Sequence, residues 1–143
     1  LPFKPMEIGR LCIDQQDSDP FLLLSAFNYL RSLISSRQVD LIFGCTSFSG
    51  ADNPRHLVTL SSLEKTQLAD PMFPIKKKSS SVLYIKRKII GARKNKTAEN
   101  FLPPLLKFYL RLGGKVSDHA VIDRDLDTLH VFTYVDLRGK KFN

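Results

Sequence analysis

The order of the first three segments most constrains what this chain can fold into: an apolar strand-like run, a proline-started amphipathic helix, and a second apolar strand-like run. Residues 5–14 alternate as a strand, with Met6, Ile8, Arg10, Cys12 and Asp14 on one face and Glu7, Gly9, Leu11 and Ile13 on the other. Gly9 inside it marks a bulge or a close backbone approach. Asp19 is a good N-cap and Pro20 suits the first helical position. Residues 20–37 then read as a helix with Leu23, Ala26, Phe27, Leu30 and Ile34 along one stripe. Asp40 to Phe48 is short and apolar enough to be a strand buried on both faces. A helix between two such strands predicts a parallel, right-handed crossover and an α/β fold.

The rest of the chain extends this pattern. Residues 49–54 form a turn and cap that lead into a helix near 54–69. Val82 to Ile85 suits a strand or a helix; periodicity leaves both open. Pro103-Pro104 starts a helix that runs to about Leu112 and closes at Gly113-Gly114. Strands near 115–123 and 128–137 flank Arg124-Asp125-Leu126-Asp127 as an antiparallel hairpin. The 143 residues suit one domain.

Composition excludes several classes. At 43% hydrophobic residues the chain is too apolar for disorder. Its longest apolar runs, such as Phe21 to Leu24, are too short to span a bilayer. No segment has the order of a signal peptide, and the start at Leu1 is expected of a processed or cut piece. Cys12 and Cys45 are too few for a disulfide framework and read as small buried hydrophobes in a reducing cytosol. His56, His119 and His130 lack zinc-ligand spacing.

Charge is concentrated. Between Met72 and Glu99 stand Lys76, Lys77, Lys78, Lys86, Arg87, Lys88, Arg93, Lys94 and Lys96, against Glu99 alone. This stretch carries +8, the net charge of the whole chain, on an otherwise balanced body. It is expected either to be a solvated loop or to attract anionic partners: nucleic acid, lipid headgroups or an acidic carrier protein. Only Phe73 and Tyr84 offer stacking surfaces within it, which disfavours nucleic acid.

Three ordered motifs carry a resemblance. Glu7-Ile8-Gly9-Arg10-Leu11-Cys12 opens a strand; Phe43-Gly44-Cys45-Thr46-Ser47-Phe48 follows the helix; Leu102-Pro103-Pro104-Leu105-Leu106-Lys107-Phe108-Tyr109-Leu110-Arg111-Leu112-Gly113 precedes Ala120-Val121-Ile122-Asp123. In this order they resemble the bacterial L-ornithine N-alpha-acyltransferases, labelled hemolysin-like, of the GNAT acyltransferase superfamily. The resemblance covers nearly the whole chain outside the basic stretch, and the Leu-Pro-Pro run is its most specific part. It implies a GNAT-like mixed sheet with flanking helices, entered at the fourth strand and lacking the N-terminal strands. The basic stretch at 72–99 is then an insertion, and a second copy is one way to complete the sheet.

The same resemblance implies transfer of a fatty acyl group, a 3-hydroxyacyl group, from acyl carrier protein to the alpha-amine of ornithine in the cytoplasm, at the inner membrane surface. No permanent cofactor is implied; acyl carrier protein or acyl-coenzyme A is the donor. In GNAT folds two parallel strands splay and bind the pantetheine arm like an added strand, and 5–14 and 40–48 are the matching pair. Arg10, Leu11, Cys12, Ile13 and Ser47 are then donor contacts. Glu7 is the candidate base for the amine and Tyr109 the candidate acid for the leaving thiolate. Lys107 and Arg111, four apart on a helix, are candidate carrier contacts. A covalent role for Cys45 or Ser47 would need a neighbouring base, and none stands nearby in sequence. Where GNAT enzymes carry a glycine-rich diphosphate turn, this chain reads Gln15-Gln16-Asp17-Ser18-Asp19-Pro20. With no glycine and two acids, that turn fits a carrier-borne pantetheine better than coenzyme A. Two other readings stand beside this one: a GNAT enzyme using acyl-coenzyme A and another amine, and a non-catalytic basic module for membrane or nucleic acid.

Overall fold

The computed structural model describes residues 3–9, 20–63, 65–70, 75–76, 78, 80–85 and 100–140. Its elements are β1 (Pro5–Glu7), α1 (Pro20–Ser36), β2 (Leu41–Ser49), α2 (Arg55–Ser61), a 3₁₀ turn (Lys65–Gln67), β3 (Val82–Tyr84), α3 (Pro104–Arg111), β4 (Lys115–Asp123) and β5 (Thr128–Asp136). The strands form one mixed sheet in the order β1-β2-β5-β4-β3. β1 runs parallel to β2, and the remaining neighbours are antiparallel. The α/β class and the strand–helix–strand crossover are as expected, and the arrangement is consistent with a GNAT-like domain.

Local chemistry explains the element ends. α1 closes with Gln38 at φ 52°, where Gln38 N–H donates to the Ser35 carbonyl and Val39 N–H to that of Ile34. α3 starts on Pro103 and Pro104 and closes on Gly113 at φ 76°. Gly114 N–H then donates to the Tyr109 carbonyl at 2.8 Å, which anchors the last turn of α3. In the hairpin, Asp123 Oδ1 accepts from Leu126 N–H at 3.0 Å.

Among the described residues, α1, α2 and α3 lie on one face of the sheet. Ile34 of α1 joins Phe108 and Tyr109 of α3 over Ile8, Ile42 and Val135. Leu60 of α2 joins Leu106 of α3 over Phe48, Ala120, Leu129 and Val131. Phe27 stacks on Phe108 at 4.5 Å and ties α1 to α3. The other face of β2 and β5 carries Phe43, Cys45, Ser47, His130 and Phe132, and among the described residues no helix covers it.

Several expectations need correction. The first strand is described as Pro5–Glu7, and residues 10–19 lie outside the described residues. β2 is buried on one face only: Ile42, Gly44, Thr46 and Phe48 are buried, while Cys45, Ser47 and Ser49 are exposed. The described helices all stand on one side, so among the described residues alternate positions of β2 have nothing to bury against. Cys45 is accordingly an exposed thiol, not a core residue, and Cys12 lies outside the described residues. The helix near 54–69 stops at Ser61, where the Ser62 hydroxyl donates to the Thr59 carbonyl at 2.6 Å. Leu63 turns into the core, and Leu68 forms a parallel bridge to Val116. Val82–Tyr84 is an edge strand on β4. Of the basic stretch, Lys76 and Lys78 are described and exposed; Lys77, Lys86, Arg87 and Lys88 lie outside the described residues.

β4 also contains a bulge between Val116 and Ala120 that nothing in the residue pattern announces. Ser117, fully buried, repairs the ladder there. Its hydroxyl accepts from Phe132 N–H at 3.1 Å and donates to the His119 carbonyl at 2.6 Å.

Candidate active site

β1 and β2 pair from Pro5–Leu41 to Glu7–Phe43, and Ile8 N–H adds one more bond, 2.8 Å to the Phe43 carbonyl. That is the last bond between the two segments among the described residues. β2 continues to Ser49, held on its other edge by β5. At the parting, the Ile8 carbonyl leans over Gly44. A Cβ on Gly44 would overlap the Ile8 oxygen and sit 3.0 Å from the Tyr109 hydroxyl. Glycine is therefore required by close approach of the backbone.

Tyr109 reaches this place from α3. Its side chain is fully buried, and its hydroxyl has no hydrogen-bond partner among the described residues. Burial first, then the nearby Cys45 and Glu7, push its titration well above the ordinary tyrosine range. The phenol therefore gives up its proton less readily than an ordinary tyrosine. Partial burial and the Glu7 carboxylate likewise push the Cys45 thiol up. The residue as a whole is exposed. Glu7 pairs across from Phe43 on the open face, while Met6 and Ile8 turn toward the helices. The end of the β1–β2 ladder therefore has a carboxylate on one side and an unpartnered phenol on the other.

Other expected site residues sit elsewhere. Arg10, Leu11, Cys12 and Ile13 lie outside the described residues. Lys107 and Arg111 line a cleft of about 400 Å³ with Ser62, Gln67, Asn100 and three leucines. Tyr109 is not part of it, so the helix separates these two cations from the parting. Lys107 Nζ donates to the Asn100 carbonyl at 3.1 Å.

Ser47 lies on the open face, where its Oγ is 2.8 Å from Nδ1 of His130. Sequence proximity hid this partner, since 83 residues separate the two. The signal that could have found it is the antiparallel register of β2 and β5, which sets Ser47 opposite His130. His56 is structural: its Nε2 lies 3.0 Å from the Ser49 carbonyl and 2.7 Å from that of Gly50.

Three curated relatives share the name L-ornithine N(alpha)-acyltransferase. That of Brucella abortus is 32% identical over 131 residues, covering 89% of this chain and 45% of the relative. That of Rhizobium meliloti is 30% identical over 143 residues, covering 96% and 48%. That of Rhodobacter capsulatus is 27% identical over 135 residues, covering 94% and 51%. The chain spans about half the length of the curated relatives it matches. No family model matches the chain, and no solved structure does. Its motifs, its strand order and these relatives together make the chain a member of the L-ornithine N(alpha)-acyltransferase family.

Proposed function

We propose that this chain is the GNAT-type C-terminal part, residues 1–143, of an N-acyltransferase. The complete protein moves a 3-hydroxyacyl group from acyl carrier protein to the alpha-amine of ornithine, a step in ornithine-lipid synthesis. One observation carries the reading: a buried phenol with no hydrogen-bond partner among the described residues lies at the end of the described β1–β2 ladder, with a carboxylate in electrostatic reach. Burying a polar group without a partner costs about 1–3 kcal/mol, so an orphan of this kind suits a ligand that supplies the missing contact.

The chemistry follows from the residues. The pantetheine arm lies along the β2 edge beyond Phe43, using main-chain groups there and on the segment holding Arg10, Leu11, Cys12 and Ile13, with Ser47 at its far end. Glu7 takes a proton from the attacking amine. The nitrogen–carbon bond forms as the carbon–sulfur bond breaks. Tyr109, which holds its proton firmly, donates a hydrogen bond to the departing sulfur rather than the proton itself. That proton comes from the nitrogen side through Glu7. Lys107 and Arg111 face the acidic carrier. The basic stretch, Lys76 to Lys96, holds the protein to anionic lipid headgroups at about 1 kcal/mol per cation. No helix among the described residues is long and apolar enough to cross a membrane.

The test uses the full-length protein with ornithine and either acyl carrier protein or coenzyme A as the acyl bearer. Glu7→Gln should lower transfer by about 10²–10⁴-fold with folding unchanged. The carrier-bound donor should be preferred, because the sequence at residues 15–20 carries none of the glycines that cradle a diphosphate. Full activity in Glu7→Gln would remove the base. Equal rates with both donors would remove the carrier and favour the coenzyme A alternative.

A further inference from the structure

The open face of the sheet holds a second group of reactive side chains. Ser47 on β2 and His130 on β5 are direct cross-strand partners, with Oγ and Nδ1 2.8 Å apart. The far ring nitrogen, Nε2, lies 2.8 Å from Thr128 Oγ1 and 3.8 Å from Asp123 Oδ2. Ser47 is exposed, while the His130 and Asp123 side chains keep 23% and 35% of their surface. The imidazole is therefore held between strands, and the hydroxyl stays within reach of solutes.

A neutral ring that donates Nε2–H to Thr128 presents its lone pair at Nδ1, toward the Ser47 hydroxyl. The Asp123 carboxylate sits behind the ring, 3.8 Å from Nε2. A hydroxyl, a base in hydrogen-bond reach and an acid behind the base form the arrangement that activates a serine. We propose that Ser47 is a nucleophile that accepts acyl groups from activated esters and thioesters, with His130 as its base. Ser47 is also the residue placed above at the far end of the pantetheine arm, but its acylation by small esters needs neither Glu7 nor ornithine, so its test can fail without touching the transfer reading.

Acylation needs only the ester or thioester, and release needs water or an amine. Ser47 Oγ attacks the acyl carbonyl and its proton passes to His130 Nδ1. The bond to the leaving thiol or alcohol breaks, and His130 returns the proton to that leaving group. Water or an amine then attacks the Ser47 ester, losing a proton to His130 in turn. Acid or amide is released and the serine hydroxyl is restored. Cys45, two residues earlier on the same face, is the rival nucleophile. It stands opposite Phe132, which offers no base.

The experiment treats the purified protein with p-nitrophenyl acetate and, separately, a fluorophosphonate, and locates adducts by peptide mass spectrometry. About one equivalent of p-nitrophenolate should appear in a burst, with the adduct on Ser47. Ser47→Ala should abolish that adduct, and His130→Gln should slow its formation by about 10²–10⁴-fold. Cys45→Ser leaves the pair untouched and should label at the parent rate, which keeps the test decisive should a His130 variant fold poorly. An adduct on Cys45, undiminished labelling in His130→Gln, or no adduct at all would overturn the proposal.

Discussion

Replacing Gly44 by alanine tests the close crossing that ends the β1–β2 ladder. The new Cβ would overlap the Ile8 carbonyl oxygen and lie 3.2 Å from its carbon. Both are main-chain atoms, which yield less easily than a side-chain tip. Forcing one methyl into a packed site costs typically about 1–3 kcal/mol. Displacing Ile8 also weakens its N–H bond to Phe43, 2.8 Å long, at a further cost of about 0.5–1.5 kcal/mol. Alanine recovers about 0.4–1 kcal/mol by stiffening the unfolded chain. The net loss should be about 1–4 kcal/mol, read as a lower urea midpoint and a fall in Tm of about 2–4 °C per kcal/mol. Gly9→Ala is the control. Among the described residues its Cβ meets only the Glu7 carboxylate oxygen at 3.7 Å, an ordinary contact, and stability should change by less than about 0.5 kcal/mol. In the double variant Gly44→Ala/Tyr109→Phe, removing the hydroxyl relieves the 3.0 Å contact and leaves the carbonyl overlap, so most of the loss should remain. A Gly44→Ala protein as stable as the parent would show that Ile8 does not cross there, and the reasoning about the parting would fall with it.

Three further outcomes follow from the same geometry. Tyr109→Phe deletes a buried hydroxyl that has no partner among the described residues, so the folded protein should be as stable as the parent or up to about 1 kcal/mol more stable in urea titration; a loss above about 1 kcal/mol would reveal a hidden partner. Ser117→Ala strands the Phe132 N–H inside the β4 bulge and should cost about 1–3 kcal/mol, with faster hydrogen exchange at Phe132; an unchanged midpoint would mean the bulge satisfies itself. Glu7 helps hold the Cys45 thiol protonated, so Cys45 should react with iodoacetamide more slowly than a free thiol at pH 8. Glu7→Gln should speed it; equal rates would place the carboxylate out of range.

Much of the fold was legible because it depends on near neighbours. Pro103-Pro104 and Gly113-Gly114 bracket α3 through φ limits and the missing N–H of proline, which are properties of those residues alone. The stripe Leu23, Ala26, Phe27, Leu30 and Ile34 named the inward side of α1 before any contact was known, since its period is set by the helix. β2 shows the limit of such reading. Its apolar composition suggested burial on both faces, yet which faces are covered depends on where other helices pack. Here they share one side, and Cys45 stands exposed. Helix α2 ended early for a similar reason: Leu63 and Leu68 gain more by reaching the sheet than by continuing the helix.

The candidate site divides in the same way. Motif order pointed to Glu7 and Tyr109, and folding brings both to the end of one ladder. The need for glycine at position 44 comes from Ile8, 36 residues away, and the base beside Ser47 comes from His130, 83 residues away. Sequence alone determined the α/β order, the limits of α3 and the family. Tertiary structure alone decided which face of the sheet stays open, which hydroxyl is orphaned and which serine meets a histidine. Propensity and periodicity act over a few residues of chain, whereas strand register and helix placement are settled by packing among segments that lie far apart along it.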